Sequence, residues 1–107
     1  MNISKDDGIA QLSKWHSAST PIRAIYRTIT GNALIVGKMS ELSPSAVKIT
    51  GNGCEMLLYF RDSSEYEYTD AREPVTESNK ERPNKYPVII NVKFSNGDRL
   101  EISEFFA

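Results

Sequence analysis

Between Ile22 and Phe60, three polar breaks (Gly31-Asn32, Ser43-Pro44-Ser45 and Gly51-Asn52-Gly53) separate four runs rich in Ile, Val, Leu, Met and aromatic residues. Runs of this length between turn-forming residues predict a meander of antiparallel strands. Read as a two-residue loop with Gly first, Gly31-Asn32 pairs Thr28 with Ile35, Tyr26 with Gly37 and Ala24 with Met39. That register gathers Ile22, Ala24, Tyr26, Thr28, Ile35, Gly37 and Met39 on one nearly uncharged face, the predicted core side, and lays Tyr26 over the bare backbone of Gly37. Arg23, Ile25, Arg27, Ile29, Leu34, Val36 and Lys38 take the opposite face, whose apolar members need cover from an N-terminal helix or from a second copy of the chain. Val47 and Ile49 alternate with Lys48 in the third run. Met56, Leu58 and Phe60 alternate with Leu57, Tyr59 and Arg61 in the fourth, where Cys54 falls on the Met56 side as a small core residue.

Ahead of the meander, Ser4-Lys5-Asp6-Asp7 supplies a hydroxyl N-cap and carboxylates where the positive end of a helix favours them. Ile9, Leu12 and Trp15 follow at helical spacing, with Ile3 just before the cap, and Pro21 turns Thr20 away from helical angles. A helix over 5–17 is predicted, docking on the sheet through its Ile/Leu/Trp stripe because so short a helix is marginal alone.

After Arg61 the pattern changes. Residues 62–85 set Asp62, Glu65, Glu67, Asp70, Glu73, Glu77 and Glu81 against Arg72, Lys80, Arg82 and Lys85 and read as a polar insertion, in which Tyr66 and Tyr68 extend an edge strand while Pro74 to Pro83 shows neither periodicity nor apolar content. The chain closes on a hairpin in which Val88, Ile90, Val92 and Phe94 alternate on one strand, and Leu100 and Ile102 on the next. A two-residue Asn96-Gly97 turn would set these two patterns on opposite faces. A three-residue loop, Asn96-Gly97-Asp98, pairs Phe94 with Leu100, Val92 with Ile102 and Lys93 with Glu101. The predicted fold is therefore mainly β: a small bent antiparallel sheet or barrel of about six strands (22–30, 33–42, 46–50, 54–61, 87–95 and 99–105) with one N-terminal helix.

Composition narrows the function classes. A chain of 107 residues reads as a single domain, 1–107, able to bury about two-thirds of the surface its unfolded form exposes, without metal or disulfide. Its net charge of -1 offers no global attraction to nucleic acid or anionic lipid. Cys54 is the one cysteine, so neither an internal disulfide nor a multi-cysteine metal site is available. With no apolar run of membrane-spanning length and an acidic start at Asp6 and Asp7, the expected location is the cytoplasm, with no membrane partner. His16 is the sole histidine and has no Cys or acidic partner placed by the sequence, and no Gly-rich phosphate loop or Ser/His/Asp set is present. The expectation is a non-enzymatic domain with no cofactor and no metal.

Two family resemblances bear on this. Over Ser4 to Phe60, the order of helix, strand, Gly-containing second strand and short third strand resembles the Sm-like barrel. Gly37 and Met39 fit its second strand, while Ser43 and Val47 stand where that family has the Asp and Asn that help bind uridine. The resemblance implies the barrel without that uridine site. Over Arg23 to Ile49, Arg23-Ala24-Ile25-Tyr26-Arg27 is similar to the Arg-x-x-x-Arg element of the PilZ domain, a six-stranded barrel that binds cyclic diguanylate. Of that family's second element only Ser43 matches, which implies a degenerate module. The leading expectation is an interaction domain that binds a protein partner or self-associates. The alternative is a nucleotide or RNA phosphate binder in which Arg23, Arg27 and Lys38 hold phosphate, with Ser43 at the end of the Lys38 strand.

Overall fold

The computed structural model describes residues 1–51, 53–60, 65–70 and 88–105. In chain order they form β1 (Asn2–Ile3), α1 (Lys5–Ser17), β2 (Ile22–Thr28), β3 (Gly31–Leu42), β4 (Ala46–Gly51), β5 (Cys54–Tyr59), β6 (Glu65–Asp70), β7 (Val88–Lys93) and β8 (Arg99–Glu104). The eight strands make one antiparallel sheet in the order β1-β6-β7-β8-β2-β3-β4-β5. It is not a closed barrel, and it has more strands than the six expected. One addition is β1, which pairs with β6. The other is β6 itself, which lies inside the predicted polar insertion. Its two glutamates share the outer face, Tyr66, only 3% exposed, packs in the core, and Asp70 is exposed at the strand end. The remainder of that insertion, 62–64 and 71–85, lies outside the described residues.

The sheet is strongly curled. Helix α1 touches both β3 and β6, which are separated in the sheet by β7, β8 and β2, and one core cluster takes in residues from α1 and from every strand from β2 to β8. At the open seam, Phe60, just after β5, meets the Tyr66 ring of β6 at 6.3 Å between centroids, although β5 and β6 share no ladder.

The cap of α1 forms as read, with the Ser4 hydroxyl accepting the Asp7 N–H at 3.1 Å. Leu12 and Trp15 are buried in the core and Ile9 packs partly against it. Gly8, which the apolar stripe did not include, is also buried, because the Tyr66 ring lies directly over it. The helix ends with Ser19 at φ 51°, its N–H bonded to the His16 carbonyl and the Thr20 N–H to that of Trp15. Because α1 packs on the concave face, it does not cover the outer residues assigned to it as an alternative. Ile29, Leu34 and Val36 remain exposed.

Both hairpins that bound the core keep the predicted faces but move their turns. In β2–β3, Thr28 pairs with Gly31, so the loop is Ile29-Thr30, Tyr26 stands across from Ala33, and Gly37 falls opposite Ile22. The Thr28 hydroxyl closes that turn in place of a glycine, accepting the Thr30 N–H at 3.3 Å and donating to the Gly31 carbonyl at 3.1 Å. In β7–β8, Val92 pairs with Leu100 and Ile90 with Ile102. The Phe94 N–H reaches the Asp98 carbonyl at 2.9 Å, so the three-residue loop is Ser95-Asn96-Gly97, with Gly97 supplying the left-handed position at φ 92°. Cys54 shares a face with Met56 and Leu58 as expected. It is nevertheless exposed, since the β4–β5 hairpin carries it past the end of the core.

A β-bulge bends β3. Met39 pairs with Ile49 and Glu41 with Lys48, leaving Ser40 as the extra residue, which donates to the Lys48 carbonyl and accepts the Thr50 hydroxyl at 2.9 Å. The shift lets Met39 and Leu42, three residues apart, both face the core.

Candidate functional site

On the convex face the ladders place Arg23, Ile25 and Arg27 of β2 beside Ser103, Glu101 and Arg99 of β8. Arg23 and Arg27 both reach Glu101, at 3.8 and 3.7 Å, closing over Ile25, which is 8% exposed although it lies on the outer side. The sequence did not point to Glu101, because nothing local to β2 or β8 says that these two strands are neighbours. Arg27 stands directly opposite Arg99, and Arg99 opposite Lys93, which leans to Glu67 at 3.9 Å. Among the described residues Arg99 makes no ion pair. Lys38 lies on the same convex face, on β3 beyond Val36, the partner of Arg23. Ser43 is not part of this strip. Its hydroxyl accepts the Ala46 N–H at 3.1 Å and the Ser45 N–H at 3.3 Å, closing the turn between β3 and β4.

No protein-family model, curated protein or solved structure matches this chain. Its chemistry has to be read from its own surfaces.

The second surface is the end of the sheet. The Phe60 N–H donates to the Ser45 carbonyl at 2.8 Å, and that bond fixes the phase of β5. Phe60, Leu58 and Met56 direct their backbone N–H and C=O groups toward β4, so Glu55, Leu57 and Tyr59 direct theirs away from it. Among the described residues no strand pairs with β5 on that side. Leu57 and Tyr59 are 52% and 65% exposed, and the one charge on the strand, Glu55, is held by Lys48 at 3.6 Å. Along this edge runs a groove of about 360 Å³ lined by Tyr26, Ala33, Met56, Leu57, Leu58 and Tyr59. Its Tyr26 wall is fixed from behind: the phenol donates to Asp98 Oδ2 at 2.8 Å and the ring leans on Phe94 at 5.8 Å.

Among the described residues, no three His, Cys, Asp or Glu side chains come together as metal ligands would. Over the same residues, no helix is long and apolar enough to cross a membrane.

Proposed function

We propose that this chain is a small non-enzymatic interaction module that takes up an extended protein segment on the open edge of β5. What supports the reading is the row of backbone groups at Glu55, Leu57 and Tyr59 that have no strand partner among the described residues, beside an apolar groove. Natural edge strands are normally blunted by proline, by several charges or by a bulge. Cys54-Glu55-Met56-Leu57-Leu58-Tyr59 carries a single, internally paired charge. In strand addition the main-chain hydrogen bonds supply affinity and alternate side chains supply selectivity, so the groove favours an incoming segment with apolar residues at every second position.

The test is selection from a displayed library of short random peptides, followed by amide exchange on the labelled protein. Selected peptides are expected to alternate apolar residues and to protect the Glu55, Leu57 and Tyr59 amides. Peptides that protect the convex face instead, or no selected peptide with the protein monomeric, defeat the reading.

A second reading rests on the in-register row of Arg27, Arg99 and Lys93. Like charges directly opposite destabilise a sheet, and a bound phosphate between Arg27 and Arg99 would relieve that repulsion. In this reading Arg23, Arg27 and Lys38 hold a nucleotide or RNA phosphate with Arg99 as an added donor. Calorimetry with cyclic dinucleotides and short RNA at low salt checks it, with loss of heat in Arg27→Ala/Arg99→Ala as the expected result.

A further inference from the structure

We infer that the segment β5 accepts is the β5 of a second copy of this chain, paired antiparallel about Leu57; the inference rests on the strand-addition reading above. Two identical antiparallel strands related by a two-fold axis must place each residue opposite one on the same face, so the axis passes through a residue rather than between two. The edge offers Glu55, Leu57 and Tyr59 as the residues whose backbone groups face away from β4 and have no strand partner among the described residues. Only an axis through Leu57 pairs all three: Leu57 with Leu57 of the second copy, Glu55 with Tyr59, and Tyr59 with Glu55. An axis at Met56 leaves Tyr59 opposite the hairpin glycine Gly53, and an axis at Glu55 sets two carboxylates against each other.

The side chains suit the same register. On the convex side Leu57, half exposed in one copy, covers itself in the other, and the Tyr59 phenol lies across from the Glu55 carboxylate, which accepts its proton in a hydrogen bond. On the concave side Met56 meets Leu58 of the second copy, so the incoming strand extends the apolar lining that Tyr26, Ala33, Met56 and Leu58 already present. No like charges meet, and each Glu55 keeps its own Lys48. The two sheets become one continuous sheet through both copies.

Sedimentation equilibrium and cysteine pairing test this on the full chain. The wild type is expected to sediment as a dimer. Leu57→Lys is expected to raise its dissociation constant about tenfold or more, because two ammonium groups then face each other where two leucines were buried. Leu57→Pro is expected to give a monomer with an unchanged circular dichroism spectrum, since the N–H it removes points away from β4. With Cys54→Ser as background, Leu57→Cys is expected to form an intermolecular disulfide under mild oxidation, and Glu55→Cys is not. A wild type that stays monomeric at high micromolar concentration, while selected peptides still protect the β5 amides, overturns the second-copy inference and leaves strand addition standing. A dimer that persists in both Leu57→Lys and Leu57→Pro also overturns the second-copy inference, because the contact then lies elsewhere. Disulfide formation by Glu55→Cys in place of Leu57→Cys overturns the register.

Discussion

Gly37 and Gly51 face each other across the β3–β4 ladder, and neither position has room for a side chain. A Cβ on Gly37 would collide with the Thr50 carbonyl, and one on Gly51 would come within 2.5 Å of the Val36 carbonyl oxygen. Gly37 belongs to two ladders at once, opposite Ile22 on one side and Gly51 on the other, so relief of the clash on one side disturbs the other. We expect Gly37→Ala to destabilise the protein by about 2–3 kcal/mol, the scale of overpacking against rigid backbone. Urea denaturation followed by tryptophan fluorescence measures it, and a midpoint equal to that of wild type would contradict the close approach.

Trp15 anchors α1 in the core at 5% exposure. Trp15→Ala is expected to cost about 3–5 kcal/mol, a large fraction of the stability of a domain this size. Circular dichroism reads the loss as a lowered thermal midpoint.

Ser19 ends the helix in the left-handed region without being a glycine. Removing its Cβ relieves strain that outweighs the extra freedom gained by the unfolded chain, whereas a branched side chain increases that strain. Thermal midpoints are expected to fall in the order Ser19→Gly, wild type, Ser19→Val, with Gly gaining about 0.5 kcal/mol and Val losing about 1 kcal/mol or more.

The Tyr26–Asp98 hydrogen bond joins the groove wall to the last hairpin. Tyr26→Phe is expected to cost about 1–2 kcal/mol, since Asp98 keeps Asn96 as a partner and is not left bare. If the open edge of β5 is the docking element, the same substitution weakens strand addition without abolishing it, because the ring stays and only its tether is lost.

Cys54 is expected to react with a disulfide reagent in the native protein without prior unfolding, because it is exposed at the tip of the β4–β5 hairpin. Modification only under denaturing conditions would return it to the core, where its alternation with Met56 and Leu58 had placed it.

How the sequence performed follows from what each feature depends on. The faces of β2, β3, β7 and β8 were legible because side-chain direction has period two, and both misplaced turns moved the registers by even steps, which leaves every residue on its side. The turns themselves were misplaced for local reasons. Thr28 does with a hydroxyl what a glycine loop would do with backbone freedom, and Gly97 takes the last loop position instead of the middle. Glu65–Asp70 was legible only as an edge extension through Tyr66 and Tyr68, because Glu65 and Glu67 share the outer face and only Tyr66 is deeply buried on the other. The neighbours of a strand are not written in its own residues. Hence neither the β2–β8 pairing, which gives Arg23 and Arg27 their shared Glu101, nor the open side of β5 was visible before the sheet order was known.

Ser40 carries a consequence of its own. Losing a residue from a strand ordinarily turns everything beyond it inside out. At the β3 bulge it restores plain alternation instead, with Met39 inward, Glu41 outward and Leu42 inward as before. Ser40 is thus a spare: the list of core residues does not need it, but the curvature does. Its deletion would leave the same side chains inside a flatter sheet, loosening the seam where Phe60 meets Tyr66, so in this protein the choice of what is buried and the amount of curl around it are set by different residues.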